Sequence, residues 1–117
     1  EAALLFLAAV SWPARKVVVL GDMLELGEQS GPQHRRIVQE ARSAGFDRVF
    51  WVGRLFSAAV PESEQKYCAE TVNDILPKLQ EYLCGDDLVL LKGSRSLGLE
   101  AVADHIRDPQ KSGGLRC

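Results

Sequence analysis

With 117 residues, 46% of them hydrophobic and 26% charged, and a formal net charge of −2, the chain can bury one core without disulfide staples. It is expected to form a single domain, and its charge balance makes nucleic acid a poor candidate for a partner. Cys68, Cys84 and Cys117 are odd in number, form no CxxC pair and have no histidine at ligand spacing, so they are expected to be reduced thiols rather than zinc ligands or a disulfide framework.

The opening EAALLFLAAV is too short to span a bilayer and lacks the positive flank of a signal peptide. It predicts a core-packing helix, and the absence of an initiating Met suggests a piece of something longer. KVVVLG, residues 16–21, is a continuous run rich in β-branched residues, as suits a strand buried on both faces of a parallel sheet. Ser30 and Gln33 have capping-box spacing. They open a helix with His34, Ile37, Val38 and Ala41 on one face and Gly45 as its stop.

RVFWVG, residues 48–53, predicts a second buried strand, followed by a short helix, RLFSAAV, that Pro61 ends. KYCA around Tyr67 is a candidate for a brief third strand. Thr71 with Asp74 marks a helix start, and Val72, Ile75, Leu76, Leu79 and Leu83 form its apolar stripe. Pro77 within it predicts a kink or the first turn of a second helix. DLVLLKG, residues 87–93, reads as the last strand and SLGLEAVADHI as the last helix, burying Leu99, Val102, Ala103 and Ile106. Helices and strands alternate throughout, which implies a parallel sheet with right-handed crossovers.

Ligands of open parallel α/β sheets lie beyond the carboxyl ends of the strands, where loops meet helix N-termini. That singles out three loops: GDMLELGEQ after the first strand, VGR at 52–54 and KGSRSLG at 92–98. In the last, Gly93 allows close backbone approach, Ser94 and Ser96 supply hydroxyls, and Lys92 and Arg95 supply charge. These are the parts of an anion cradle, although helix capping by either serine with solvated basic side chains explains the same residues. Asp22 and Glu25 in the first loop either contact a substrate or metal, or serve as a cap and a solvated carboxylate. His34, on the apolar side of its helix with no Ser, Cys or Asp partner in the pattern, reads as a packed core histidine rather than a base. No GxxxxGK[ST] loop and no GxGxxG fingerprint is present, so neither independent ATP hydrolysis nor dinucleotide binding is supported.

Taken in order, VVVLGDMLELGEQS, His34, AGFDRVFWVG (44–53) and LVLLKGSRSLGLEAV (88–102) resemble the C-terminal domain of the Mur ligases over about Glu1 to Arg107. The nearest type is the one that adds D-alanyl-D-alanine; the DNPR motif of the diamino-acid-adding type is missing. The resemblance implies a three-layer, Rossmann-like α/β domain at 1–107, with a mostly parallel sheet flanked by helices and a flexible tail at 108–117. It also implies a cytoplasmic, ATP-dependent amide ligase of peptidoglycan synthesis. In that family ATP phosphorylates the terminal carboxylate of a UDP-N-acetylmuramoyl peptide, and the incoming amine, here D-alanyl-D-alanine, attacks the acyl phosphate.

ATP and Mg²⁺ would be held mainly by a central ATPase domain, over which this domain closes, so the fragment would be inactive alone. By position, Lys92, Ser94 and Arg95 would face D-alanyl-D-alanine or the reacting phosphates, and Asp22 and Glu25 would line the same cleft. The nucleotide-reaching YNANP segment of the family is not in this sequence. A folylpolyglutamate-synthase-type ligase domain and a stand-alone α/β module for a phosphorylated or carboxylated metabolite are the rival readings.

Overall fold

Val17, Val18, Val19 and Leu20 are entirely buried, a burial that a strand achieves only when sheet neighbours and helices cover all its sides. The computed structural model, which describes residues 2–23, 30–94 and 97–107, places them in β1 (Lys16–Gly21), an inner strand. Each such side chain contributes about 1.5–3 kcal/mol on burial. The run of four therefore matches the net stability of a typical small domain before the entropy of ordering is subtracted.

The chain runs α1 (Ala2–Ala9), β1, α2 (Ser30–Ser43), β2 (Arg48–Val52), α3 (Arg54–Ala59), a 3₁₀ helix (Glu62–Tyr67), β3 (Cys68–Ala69), α4 (Val72–Tyr82), β4 (Leu88–Lys92) and α5 (Glu100–Arg107). The four strands are all parallel, in the order β3-β2-β1-β4. Val18 sits opposite Val49 on one side and Leu90 on the other, which fixes the register of the inner strands.

Strand alternation splits the core into two layers. Val18, Leu20, Val49 and Trp51 pack with Leu4 and Leu7 of α1, Ile37, Val38 and Ala41 of α2, and Phe56 of α3. Val17, Val19, Phe50 and Val52 pack with Val72, Ile75 and Leu79 of α4 and Val102 of α5. This division follows from crossover handedness. The connections β1-α2-β2 and β2-α3-β3 step one way across the sheet, while β3-α4-β4 steps back past two strands, so α4 must lie on the opposite face.

At the amino ends of the strands two basic residues close the fold. Lys16 Nζ donates to the carbonyls of Leu7, Ala8 and Val10, each at 3.1 Å, satisfying the exposed end of α1 that has no glycine cap. Arg15 reaches Asp87 through Nε (3.0 Å) and Nη2 (2.8 Å), donates to the Tyr82 carbonyl at 2.7 Å, and lies 4.1 Å over the Tyr82 ring. Sequence spacing carries no trace of that pairing, which joins residues 72 positions apart.

Several expectations change in detail. The brief third strand exists, pairing Cys68 with Trp51 and Ala69 with Val52. Pro77 neither starts a new helix nor divides α4, which is continuous from Val72 to Tyr82; the carbonyl that loses its donor belongs to Asn73, an exposed residue. The last helix begins at Glu100 rather than near Ser96, because Gly98 takes a left-handed φ of 71°. Among the described residues Cys68 is free and buried, and Cys117 lies outside them. No helix among the described residues is long and apolar enough to cross a membrane, and the segment 108–117 lies outside them.

Candidate functional site at the strand switch point

The strand order places its reversal between β1 and β4: the chain leaves the carboxyl end of β1 toward one face and that of β4 toward the other. Loops diverging from adjacent strands leave a crevice, the usual ligand position in such sheets. Two of the three loops singled out by sequence meet there, and the third, after β2, adjoins them.

Glycines allow the close approach. A Cβ on Gly93 would lie 2.9 Å from the Gly21 Cα, and one on Gly21 would lie 2.7 Å from Leu97 Cδ1. Neither position has room for a side chain without displacing its neighbour.

Asp22 is the next residue and is only 3% exposed. Its Oδ2 accepts the Leu55 N–H at 3.0 Å and its Oδ1 accepts the Phe56 N–H at 2.9 Å. The helix α3 therefore receives its N-terminal cap from another strand, because its own N-cap residue, Gly53, has no side chain to offer. The Asp22 main chain is equally occupied: its N–H donates to the Val52 carbonyl at 2.9 Å and its carbonyl accepts the Ser94 N–H at 3.1 Å. A ligand ammonium reaching this carboxylate would have to displace bonds already made.

His34 is fully buried, as a packed histidine should be, but it has a specific task. Its Nε2 accepts the Met23 N–H at 2.9 Å, so the ring is the neutral tautomer with its proton on Nδ1, and it lies edge-on to Phe56 with centroids 4.5 Å apart. The Asp22 carboxylate is 4.0 Å from the same nitrogen, beyond hydrogen-bond reach.

Lys92 ends β4 half-buried, opposite Leu20, and alternation places it on the face of Leu88 and Leu90, toward α1, α2 and α3. Ser94 is largely buried, and its carbonyl accepts the Leu97 N–H at 3.1 Å. The cradle differs from the expected one in two respects. α5 starts six residues beyond Ser94, so Lys92 does not stand at the N-terminus of that helix, and the Ser94 amide is already given to Asp22. Arg95, Ser96 and Glu25 lie outside the described residues. In the third loop Arg54 is 88% exposed on its side chain and pairs with Glu70 at 2.9 Å, a solvated contact of small energetic weight. Among the described residues no group of three or more His, Cys, Asp or Glu side chains could hold a metal ion.

Sequence reasoning singled out the VGR loop but gave Gly53 no role of its own. Its φ of 114° and the Asp22 carboxylate beside it make this glycine part of the site's frame. The available signal was a glycine immediately after a buried strand and before a helix.

A family model described as Mur ligase, glutamate ligase domain, matches residues 1–95. The chain is 32% identical over 98 residues to the UDP-N-acetylmuramoyl-tripeptide–D-alanyl-D-alanine ligase of Escherichia coli (strain K12), a match covering 82% of this chain and 22% of that protein. It is 33% identical over 103 residues to the same-named ligase of Bacillus subtilis (strain 168), covering 81% of this chain and 22% of that one. The crystal structure of MurF ligase from Thermotoga maritima in complex with ADP superposes with a TM-score of 0.66 at 24% identity, over 95% of this chain and 25% of that one. That likeness bears on the fold, a parallel sheet between helix layers. The chain thus spans about a fifth to a quarter of the length of these relatives. Its strand-end loops, its fold and these matches agree, and the chain belongs to the Mur ligase family as a glutamate ligase domain.

Proposed function

We propose that this chain is the amine-substrate-binding and cleft-closing domain of an ATP-dependent ligase that joins D-alanyl-D-alanine to a UDP-N-acetylmuramoyl tripeptide in cell-wall synthesis. The carrying observation is the contact of the two predicted loops at the switch point, where the Ser94 amide binds the Asp22 carbonyl. Relatives at about 30% identity bear the name of that ligase.

Lys92 and Arg95 are assigned to the anionic side of the reaction, the dipeptide carboxylate or the phosphates. A planar guanidinium can hold a carboxylate through two parallel bonds. Ser94 shapes the loop between them. Glu25 is assigned to the ammonium of the incoming dipeptide, and like Arg95 it enters on sequence position alone. Asp22 lines the same crevice with both its oxygens engaged.

The sequence has no phosphate loop. ATP and Mg²⁺ are therefore assigned mainly to the central domain of the full-length enzyme, in the cytoplasm where ATP is available. The contribution of this domain is to orient the nucleophile and exclude water on closure.

Steady-state kinetics of the full-length enzyme tests the reading. A lost charge-assisted bond is worth about 1.5–3 kcal/mol, or roughly ten- to a hundred-fold. Arg95→Ala is expected to lower kcat/KM for D-alanyl-D-alanine by that factor while the KM for the UDP-peptide changes far less. An unchanged dipeptide KM and kcat removes Arg95 from the site.

A further inference from the structure

We propose that Asp22 is a positioning residue: it does not touch the amine substrate but locks the β1, β2 and β4 strand ends into one arrangement, and so sets where the Lys92–Ser94 loop stands. The role in turnover rests on the ligase reading above; the locking itself does not.

Three independent features converge on this residue. Each carboxylate oxygen has its own amide donor at the start of α3, and the group is nearly closed to solvent. Its main chain bonds both flanking strand ends, Val52 of β2 through the N–H and Ser94 after β4 through the carbonyl. The space it fills is kept open by Gly53, where a Cβ would stand 2.2 Å from the Asp22 Cγ. His34 braces the same residue from α2 by accepting the next amide, Met23 N–H, and by packing on Phe56, which is itself a donor to Asp22.

A buried carboxylate with two charge-assisted bonds of this kind is rigid, and rigidity passes to whatever its main chain holds. Fixing the side chain fixes the orientation of the Asp22 carbonyl, and that carbonyl is the acceptor for the Ser94 amide. Asn at this position keeps the volume but turns one oxygen into an NH₂ group facing an N–H. One of the two α3 bonds must break, and the carbonyl loses its fixed direction.

The test uses the full-length enzyme with Asp22→Asn. Amide hydrogen exchange at Ser94 is expected to accelerate at least ten-fold relative to the wild type, more than the amides of α4 do. Turnover is expected to show at least a ten-fold loss of kcat/KM for D-alanyl-D-alanine, carried mainly by kcat, with the KM values for ATP and UDP-peptide within about two-fold. Leu79→Ala in α4, on the other core face, supplies a control of lowered Tm in which neither readout should move in this pattern. If Asp22→Asn does not fold, Asp22→Ser, which keeps one acceptor, is read in the same way.

Unchanged exchange at Ser94 overturns the proposal. So does a loss confined to dipeptide KM with kcat and Ser94 exchange intact, since that is the mark of direct contact. If the wild-type enzyme does not use D-alanyl-D-alanine, the ligase reading fails while the exchange measurement still decides whether Asp22 locks the loop.

Discussion

Gly53 and Gly45 both adopt positive φ, yet only one of them has a neighbour. At Gly45, φ is 81° and a Cβ would meet nothing within 4 Å; at Gly53, φ is 114° and the space for a Cβ is filled by the Asp22 carboxylate. Gly45→Ala should therefore cost only the left-handed backbone penalty, about 1 kcal/mol. Gly53→Ala adds eviction of the carboxylate and loss of the α3 cap, for a total of about 3 kcal/mol. Urea denaturation of the two variants separates these outcomes, and equal losses would show that the Asp22 cap contributes little. The contrast also shows what residue-level reading can reach. Gly45 was legible as a helix stop from its place after Ala41 and its φ requirement. The partners of Asp22 lie 33 and 34 positions away, and nothing in the loop that carries it reveals them.

Among the elements, β1 and β4 are held together at their amino ends by Arg15 and Asp87. The Asp87 side chain is 2% exposed and that of Arg15 34%. Burial pushes the Asp87 carboxyl up, but the hydrogen bonds from Arg15 and from the Cys84 amide more than offset it, and the carboxyl sits below its ordinary range. A group depressed on folding stabilises the fold above its unfolded pKa, and that contribution is lost as pH falls through the folded value. Arg15→Ala leaves a buried carboxylate with one amide donor and should cost about 2 kcal/mol at pH 7, less than for a fully buried pair because Arg15 is partly hydrated. The cost should shrink below about pH 4, where the carboxyl of the variant is protonated. Denaturation at pH 7 and pH 3 measures the difference. An undiminished cost in acid would assign the effect to the Arg15 guanidinium's stacking on the Tyr82 ring and its bond to the Tyr82 carbonyl. The elements these residues join were legible because period-2 and period-3.6 patterns reflect which faces are buried. Boundaries slipped where backbone chemistry decided them, as at Gly98, which delays α5 to Glu100.

For the molecule as a whole, the alternation of elements was enough to imply a parallel sheet, but strand order depends on which face each helix covers. Two faces, one with α1, α2 and α3 and one with α4 and α5, put the switch point between β1 and β4 and bring GDM and KGS together. Each core layer is a contiguous cluster of this chain's own buried side chains, so the chain should fold on its own with a single cooperative transition. Folding and turnover are then separable. Acyl-phosphate chemistry needs a phosphate cradle to hold the triphosphate, and these 117 residues contain no phosphate loop. The isolated chain, incubated with ATP, Mg²⁺, UDP-tripeptide and D-alanyl-D-alanine, is therefore expected to release no ADP above a protein-free blank in a coupled assay, even when urea denaturation shows it fully folded. Sustained ADP release that follows the protein through purification and disappears on unfolding would place nucleotide chemistry in this domain and contradict its assignment as the orienting half of a divided site.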